Sequence, residues 1–148
     1  MPRPFRSDRS WTFEVPPEKL WSRIADTTEY RTWWPWLRRF DGSAGLTPGA
    51  EWQCEVAPPL PYVVRFGIAF DRVETQRVVE TTIAGDIRGW ARLTIDEHVD
   101  GCHARLESSL APANRVLRGF GAVARPLVEW GHDWVLDEGR RQFVRSAF

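Results

Sequence analysis

Apolar and polar residues alternate in successive segments between residues 51 and 110, and this alternation constrains the fold more than any other feature. In EWQCEV, Trp52, Cys54 and Val56 occupy every second position, and the same pattern runs through YVVRFGIAFDRV, RVVETTIAG, IRGWARLTI and CHARLESSL. A period of two residues predicts strands with one buried face. Gly-Asp and Asp-Gly pairs separate the last three segments and predict hairpins. Short connections between strands indicate a meander, and therefore an antiparallel sheet.

The segments before residue 51 predict one more strand and two short helices. SWTFEV alternates and predicts a strand, whereas residues 1–8 are expected to form a flexible N terminus. PPEKLWSRIAD has prolines that suit the first turn of a helix. TTEYRTWW predicts a second helix, capped by Thr27 or Thr28 and stopped by Pro35. WLRRFDGSAGLTPGAEW is rich in Gly, Ser and Pro and predicts a loop between strands.

The C-terminal third predicts one long amphipathic helix from about Asn114 to Phe143, with a kink or a break at Pro126. At 100° per residue, its apolar stripe comprises Phe120, Val123, Leu127, Trp130 and Trp134, with Gly131 inside the stripe. An apolar sheet face and an apolar helix face each need a partner. We therefore predict a single α+β domain over residues 1–148, with a curved antiparallel sheet of about six to seven strands wrapped around the long helix.

Composition excludes several classes of protein. The 20 basic and 20 acidic residues balance, so nothing favours a nucleic-acid partner. No apolar run is long enough for an integral membrane segment, and the N terminus lacks the features of a signal peptide. Cys54 and Cys102 are interpreted as packed, reduced thiols of a cytoplasmic protein. The three histidines have no metal-ligand spacing, and no nucleotide-binding or serine-hydrolase motif occurs, so we expect no metal and no cofactor.

Three segments, in this order, resemble the START-like helix-grip (SRPBCC) superfamily, and more closely its polyketide cyclase/dehydrase and lipid-transport group. They are VPPEKLWSRIADTTEYRTWWPW, IAGDIRGWARL and WGHDWVLDEGRRQF. The resemblance covers about residues 10–143. It implies a deep, mostly apolar cavity between the long helix and the concave sheet, in which such proteins hold lipids, polyketides or other hydrophobic molecules. Some members cyclise or dehydrate the bound molecule, so the fold does not give the function.

The candidate cavity residues lie on the inward faces of the predicted elements and at the tryptophan-rich corner. They are Trp33, Trp34, Trp36, Trp52, Tyr62, Phe66, Ile68, Thr81, Ala91, Leu93, Ser108, Leu127, Trp130, Trp134 and Glu138.

The corner places three of the nine tryptophans within four positions, where they either fill the core or form a cavity wall. We predict that one or two of Trp33, Trp34 and Trp36 form part of the wall. Trp130 and Trp134 either fill the space opposite the small residues Gly89 and Ala91 or share it with a ligand.

Polar residues facing inward would distinguish an enzyme from a carrier. Thr81 and Ser108 are inward by parity, Glu138 is near the helix stripe, and Tyr62 is a candidate proton donor at a strand start. His132 and Asp133 point about 100° apart on a helix, so they are not predicted to act as a pair. His132 itself is predicted to pack against the sheet edge or a loop, or to be exposed.

Three functions therefore remain open at the level of sequence. The first is binding or carriage of a hydrophobic small molecule. The second is a polyketide cyclase, aromatase or dehydratase acting in the same cavity. The third is a partner-binding module that uses the tryptophan-rich corner. The protein is expected to be a monomer or a homodimer.

Overall fold

The computed structural model describes residues 5–59, 63–113 and 130–145. Its strands are β1 (Phe5–Phe13), β2 (Leu37–Asp41), β3 (Glu51–Val56), β4 (Val64–Glu74), β5 (Val78–Gly85), β6 (Ile87–His98) and β7 (Gly101–Pro112). Helix α1 (Pro17–Ala25) is followed by a 3₁₀ turn (Thr27–Glu29) and by the one-turn helix α2 (Tyr30–Trp33). Residues 130–145 are helical and are called α3.

The seven strands form one curled antiparallel sheet in the order β1-β7-β6-β5-β4-β3-β2. Every pair of sequence neighbours from β2 to β7 is hydrogen-bonded, and β1 closes the row beside β7. This arrangement confirms the predicted α+β class and the helix-grip order of elements. The described helices include none that is long and apolar enough to cross a membrane.

The concave face of the sheet carries the predicted inward residues, and the short helices and α3 pack against it. Val79, Thr81 and Ile83 are buried on β5, as are Cys102, Ala104 and Ser108 on β7. Phe143 of α3 contacts Phe13 edge-to-face, with ring centroids 6.0 Å apart. Alternation therefore predicted correctly which side of β5 and of β7 is buried.

The structure corrects three details near the N terminus. β1 begins at Phe5, so residues 5–8 pair with β7 instead of forming a flexible segment. A strand, β2, occupies Leu37–Asp41, where a loop was predicted. Neither threonine caps α2: the Thr27 hydroxyl donates to the Gly42 carbonyl, and the Thr28 hydroxyl donates to the Asp26 carboxylate. The predicted stop before Pro35 is confirmed, because α2 ends at Trp33.

The predicted apolar stripe of the C-terminal helix is wrong at Trp130 and correct at Gly131. Trp130 is 48% exposed, whereas Gly131, Gly139 and Phe143 are buried. The inward face follows the i, i+4 series Gly131, Val135, Gly139 and Phe143, which a period of 3.6 residues brings to one side. Asn114, Phe120, Val123, Pro126 and Leu127 lie outside the described residues.

Candidate ligand-binding cavity

The space between the concave sheet and α3 contains two adjoining compartments. One measures about 240 Å³ and is lined by residues that include Phe5, Phe66, Ala91, Ser108, His132 and Val135; we call it the hydroxyl compartment. The other measures about 290 Å³ and is lined by residues that include Trp11, Tyr30, Trp34, Trp36, Leu93 and Phe143; we call it the tryptophan compartment. Leu106, Val135 and Leu136 border both.

The tryptophan-rich corner divides its three residues between core and wall. Trp33 is buried and packs edge-to-face on Phe143, with centroids 5.3 Å apart. Trp34 and Trp36 stack on each other at 5.8 Å and line the tryptophan compartment. Trp33 is therefore a core residue, whereas Trp34 and Trp36 are wall residues of the cavity.

Both wall tryptophans donate their indole N–H groups to α3. Trp34 Nε1 lies 2.8 Å from the carbonyl oxygen of Gly139, and Trp36 Nε1 lies 2.8 Å from Oε1 of Gln142. A Cβ on Gly139 would lie 3.2 Å from Cζ2 of Trp36, so a residue without a side chain lets the ring pack close to the helix. These tryptophans offer ring surface to a ligand, while their N–H groups are already engaged in the protein.

Polar side chains are few in the described lining of both compartments. Ser108 and His132 line the hydroxyl compartment, and Arg140 lines the tryptophan compartment. Thr81 is buried nearby, and its hydroxyl donates to the carbonyl oxygen of Ala91 at 3.0 Å. The lining is thus suited to an apolar molecule with few polar groups.

His132 faces the interior more than its predicted helical position suggested. Its ring stacks on Phe5 of the edge strand β1, with centroids 6.4 Å apart, which agrees with packing at the sheet edge. It also lines the hydroxyl compartment, and its Nδ1 lies 3.6 Å from the Asp133 carboxylate, although no such pairing was predicted. The error arose because the stripe was centred on the tryptophans instead of on Val135.

An edge contact closes α3 against the sheet beside His132. Arg9 of β1 lies 3.0 Å from the carboxylate of Asp133 and 3.3 Å from that of Asp137. The two aspartates are one helical turn apart, so both reach the same guanidinium. This contact fixes α3 over the end of the sheet that carries the hydroxyl compartment.

The remaining sequence candidates are spread over the interior and the surface. Phe66 and Ala91 line the hydroxyl compartment, and Leu93 lines the tryptophan compartment. Trp52 and Ile68 belong to the packed core, where Trp52 Nε1 donates to the Gly45 carbonyl.

Three candidates on α3 do not line either compartment, and two further candidates lie outside the described residues. Trp130 is exposed, Trp134 packs edge-to-face on Trp36 at 6.3 Å, and Glu138 pairs with Arg141 at i+3. Tyr62 and Leu127 lie outside the described residues.

The cysteines are unsuited to nucleophilic chemistry. Both are free thiols among the described residues, as predicted. Burial raises the pKa of Cys54 from 9.0 to about 12, and burial also raises the pKa of Cys102. Few thiolates exist at neutral pH under these conditions. In the described ranges no group of His, Cys, Asp and Glu could hold a metal ion.

A third depression, of about 420 Å³, lies over β2, β3 and β4. Its lining combines apolar residues such as Phe40 and Phe66 with charged residues of β2, β3 and β4. Among these, the Glu55 carboxylate lies 2.6 Å from Nε of Arg65. The exposed guanidinium of Arg39 lies 4.0 Å from the same carboxylate. Because the Glu55 carboxylate is already paired with Arg65 and this depression is more open than the two compartments, we favour the interior compartments as the ligand site.

Sequence reasoning missed Trp11, Tyr30, Gly139 and Phe143 as wall residues. Trp11 belongs to the alternating segment SWTFEV, which predicts a strand, but no pattern connected it to a cavity. The i, i+4 series of Gly131, Val135, Gly139 and Phe143 was the available signal for the inward face of α3. Tyr30 donates its hydroxyl to the Ile24 carbonyl, and burial raises its pKa, so it serves as a packed wall residue.

Comparison with known proteins shows likeness in structure alone. No protein-family model and no curated protein matches the sequence. Protein TTHA0849 from Thermus thermophilus superposes with a TM-score of 0.72 at 12% identity, covering 97% of this chain and 96% of that one. Ara h 8.0201 gives a TM-score of 0.62 at 10% identity, with 96% of each chain covered.

A third similar structure is that of the Polyketide_cyc-like protein Cgl2372 from Corynebacterium glutamicum. Its TM-score is 0.53 at 14% identity, covering 97% of this chain and 83% of that one. At these identities the likenesses show a shared helix-grip fold and nothing about activity.

Proposed function

We propose that the protein binds and carries a hydrophobic small molecule, of aromatic, polyketide-like or lipid-like character, between the sheet and α3. The observation that carries this proposal is the pair of adjoining apolar compartments, of about 240 and 290 Å³, behind a single helix. Native cores rarely leave voids much larger than a water molecule. Ligand sites typically measure about 300–1,000 Å³ and are mostly apolar with a few polar groups.

The chemistry of the walls supports an aromatic or polycyclic ligand in particular. Trp34, Trp36 and Trp11 border one compartment, and stacking on such rings favours flat molecules. The name of one similar structure, a Polyketide_cyc-like protein, agrees with this class of ligand.

Catalysis on the bound molecule is the weaker proposal. A cyclase or dehydratase needs a positioned proton donor or acceptor. His132 and Ser108 are polar side chains in the lining of the hydroxyl compartment, and they favour this alternative. No second acid or base accompanies them among the described lining residues of the hydroxyl compartment, so carriage fits the geometry better.

The third function, partner binding through the corner, lacks its physical basis. It required an exposed patch of three tryptophans. Trp33 is 4% exposed, and Trp34 and Trp36 are half-buried and bonded to α3. We therefore do not propose it. A monomer or homodimer stays a prediction.

Native mass spectrometry of the freshly purified protein, followed by the same sample denatured, tests the proposed function. We expect a mass excess in the native sample that disappears on denaturation, because an apolar cavity captures hydrophobic molecules during expression. Titration of the ligand-free protein with a library of aromatic and lipid-like compounds should quench tryptophan fluorescence at micromolar concentrations. No mass excess and no quenching by any compound would refute the proposed function.

A further inference from the structure

We propose that the hydroxyl compartment receives an uncharged oxygen function of the ligand, a hydroxyl or a carbonyl group, and that Ser108 anchors it. This inference rests on the proposed function and narrows its ligand class. The ligand is then an apolar molecule with one hydrogen-bonding group at the β1–β7 end of the cavity.

Ser108 is a buried polar residue in an apolar wall. It is 7% exposed and lines the compartment between Leu106 and Leu110. The Thr81 hydroxyl, two strands away in the same cross-strand row, is bonded to a backbone carbonyl. The Ser108 hydroxyl forms no comparable bond within residues 5–59, 63–113 and 130–145. Its Oγ is not fully enclosed by the described residues, so a ligand oxygen in the compartment can reach it and form the hydrogen bond that these residues do not supply.

Ser7 adds a second buried hydroxyl at the same place. It lies directly opposite Ser108 in the β1–β7 register. Its Oγ is buried and has no hydrogen-bond partner among the described residues. Opposed side chains on one sheet face lie within reach of each other. The two hydroxyls are not bonded to each other in the structure, so Ser7 must change rotamer to donate to Ser108. When the Ser108 proton goes to a ligand carbonyl, that rotamer satisfies both hydroxyls.

The described lining of this compartment sets the charge of the group that enters it. It contains no Asp, Glu, Lys or Arg. The titratable side chain in the described lining, His132, already faces the Asp133 carboxylate at 3.6 Å, so an ionised ligand group would lose its hydration without a free opposite charge to pair with. A neutral hydroxyl or carbonyl needs only one or two hydrogen bonds, which Ser108 provides beside the imidazole of His132.

Three probes of similar shape test the inference: 2-naphthol, 2-methylnaphthalene and 2-naphthoate. Their dissociation constants are measured by tryptophan quenching at neutral pH for wild type, Ser108→Ala and Ser109→Ala. Ser109 is the matched control, because it is the next residue of β7 and lies on the opposite face of the sheet. Wild type and Ser109→Ala should bind 2-naphthol about tenfold more tightly than 2-methylnaphthalene, as one buried hydrogen bond predicts. They should bind 2-naphthoate most weakly.

Ser108→Ala should reduce the preference for 2-naphthol to within about twofold while it keeps the affinity for 2-methylnaphthalene. Ser7→Ala removes a buried hydroxyl without a partner, so it should raise the melting temperature of the ligand-free protein by about 2–4 °C and weaken the preference.

Equal affinity of wild type for 2-naphthol and 2-methylnaphthalene would overturn this inference. A preference for 2-naphthol that survives in Ser108→Ala would also overturn it. Neither result would contradict the proposed function. A lower melting temperature for Ser7→Ala would overturn the role of Ser7. Failure of wild type to bind any of the three probes would overturn this inference, and if native mass spectrometry also shows no mass excess, it would overturn the proposed function.

Discussion

The indole nitrogen of Trp34 donates a hydrogen bond to the carbonyl oxygen of Gly139, at 2.8 Å, across 105 residues of sequence. The corresponding bond from Trp36 reaches Gln142 one turn further along α3. Through these two bonds the corner after α2 and the helix that covers the sheet are joined. The wall of the tryptophan compartment and the closure of the cavity therefore depend on the same residues.

Removing one of these bonds should destabilise the fold by a measurable amount. Trp34→Phe keeps an aromatic ring but removes the N–H donor, so the free energy of unfolding should fall by about 1 kcal/mol or more. Urea unfolding followed by circular dichroism measures it. Trp90→Phe is the control, because Trp90 is 43% exposed on the outer face. Equal effects of the two substitutions would contradict the structural role of the Trp34 bond.

The contact between Arg9 and α3 should contribute modestly and depend on salt. The side chains of Arg9 and Asp133 are 33% and 54% exposed, so solvent screens their attraction. A double-mutant cycle of Arg9→Gln and Asp133→Asn should give a coupling of about 0.5 kcal/mol at low salt. The coupling should nearly vanish at about 1 M salt.

A second cycle of Arg9→Gln with Glu138→Gln provides the control for that measurement, because Glu138 pairs with Arg141. It should show no coupling. If the coupling energy between Arg9 and Asp133 at low salt is as small as that between Arg9 and Glu138, the contact between Arg9 and α3 does not contribute to stability.

Alkaline pH should destabilise the fold through Cys54. Burial raises the pKa of this thiol from 9.0 to about 12, so the folded state holds its proton more tightly than the unfolded state. Its stabilising contribution is complete below about pH 9 and is lost as pH rises towards 12. The free energy of unfolding should fall by up to about 1.4 kcal/mol per pH unit per thiol in this range.

Urea unfolding at several pH values between about 8 and 10.5 measures this slope. Cys54→Ala should show a shallower decline than wild type, with the remainder arising from other buried groups such as Tyr30, whose pKa is also raised. Identical slopes for the two proteins would refute the assignment to Cys54.

Alternation predicted the sheet because most strands keep strict period two over six or more residues. β2 was not predicted, and the reason is physical. A bulge shifts the register between Leu37 and Arg39, so its buried positions, beginning with Leu37, no longer fall at every second residue. Leu37 and Phe40 are three residues apart, which does not resemble a strand.

The inward face of α3 could not be read from residue size. Large apolar side chains were expected to face the sheet, yet Trp130 is exposed while Gly131 and Gly139 are buried. Whether a helix position needs a glycine depends on the side chain that packs against it, which at Gly139 is the Trp36 ring. That approach is a tertiary contact over about a hundred residues, and local pattern carries no information about it. The parity of Thr81 and Ser108, by contrast, followed directly from their strands.

The most direct test of the account is a binding titration that compares a cavity-filling variant with wild type. Leu106 borders both compartments, so Leu106→Trp fills the shared space, whereas Arg88→Trp adds the same side chain at an exposed outward position of β6. N-phenyl-1-naphthylamine serves as the fluorescent probe, with circular dichroism to establish that each variant is folded.

We predict that Leu106→Trp binds the probe at least about tenfold more weakly than wild type. Arg88→Trp should bind it within about twofold of wild type. A folded Leu106→Trp variant with the affinity of wild type would show that the ligand does not lie between the sheet and α3.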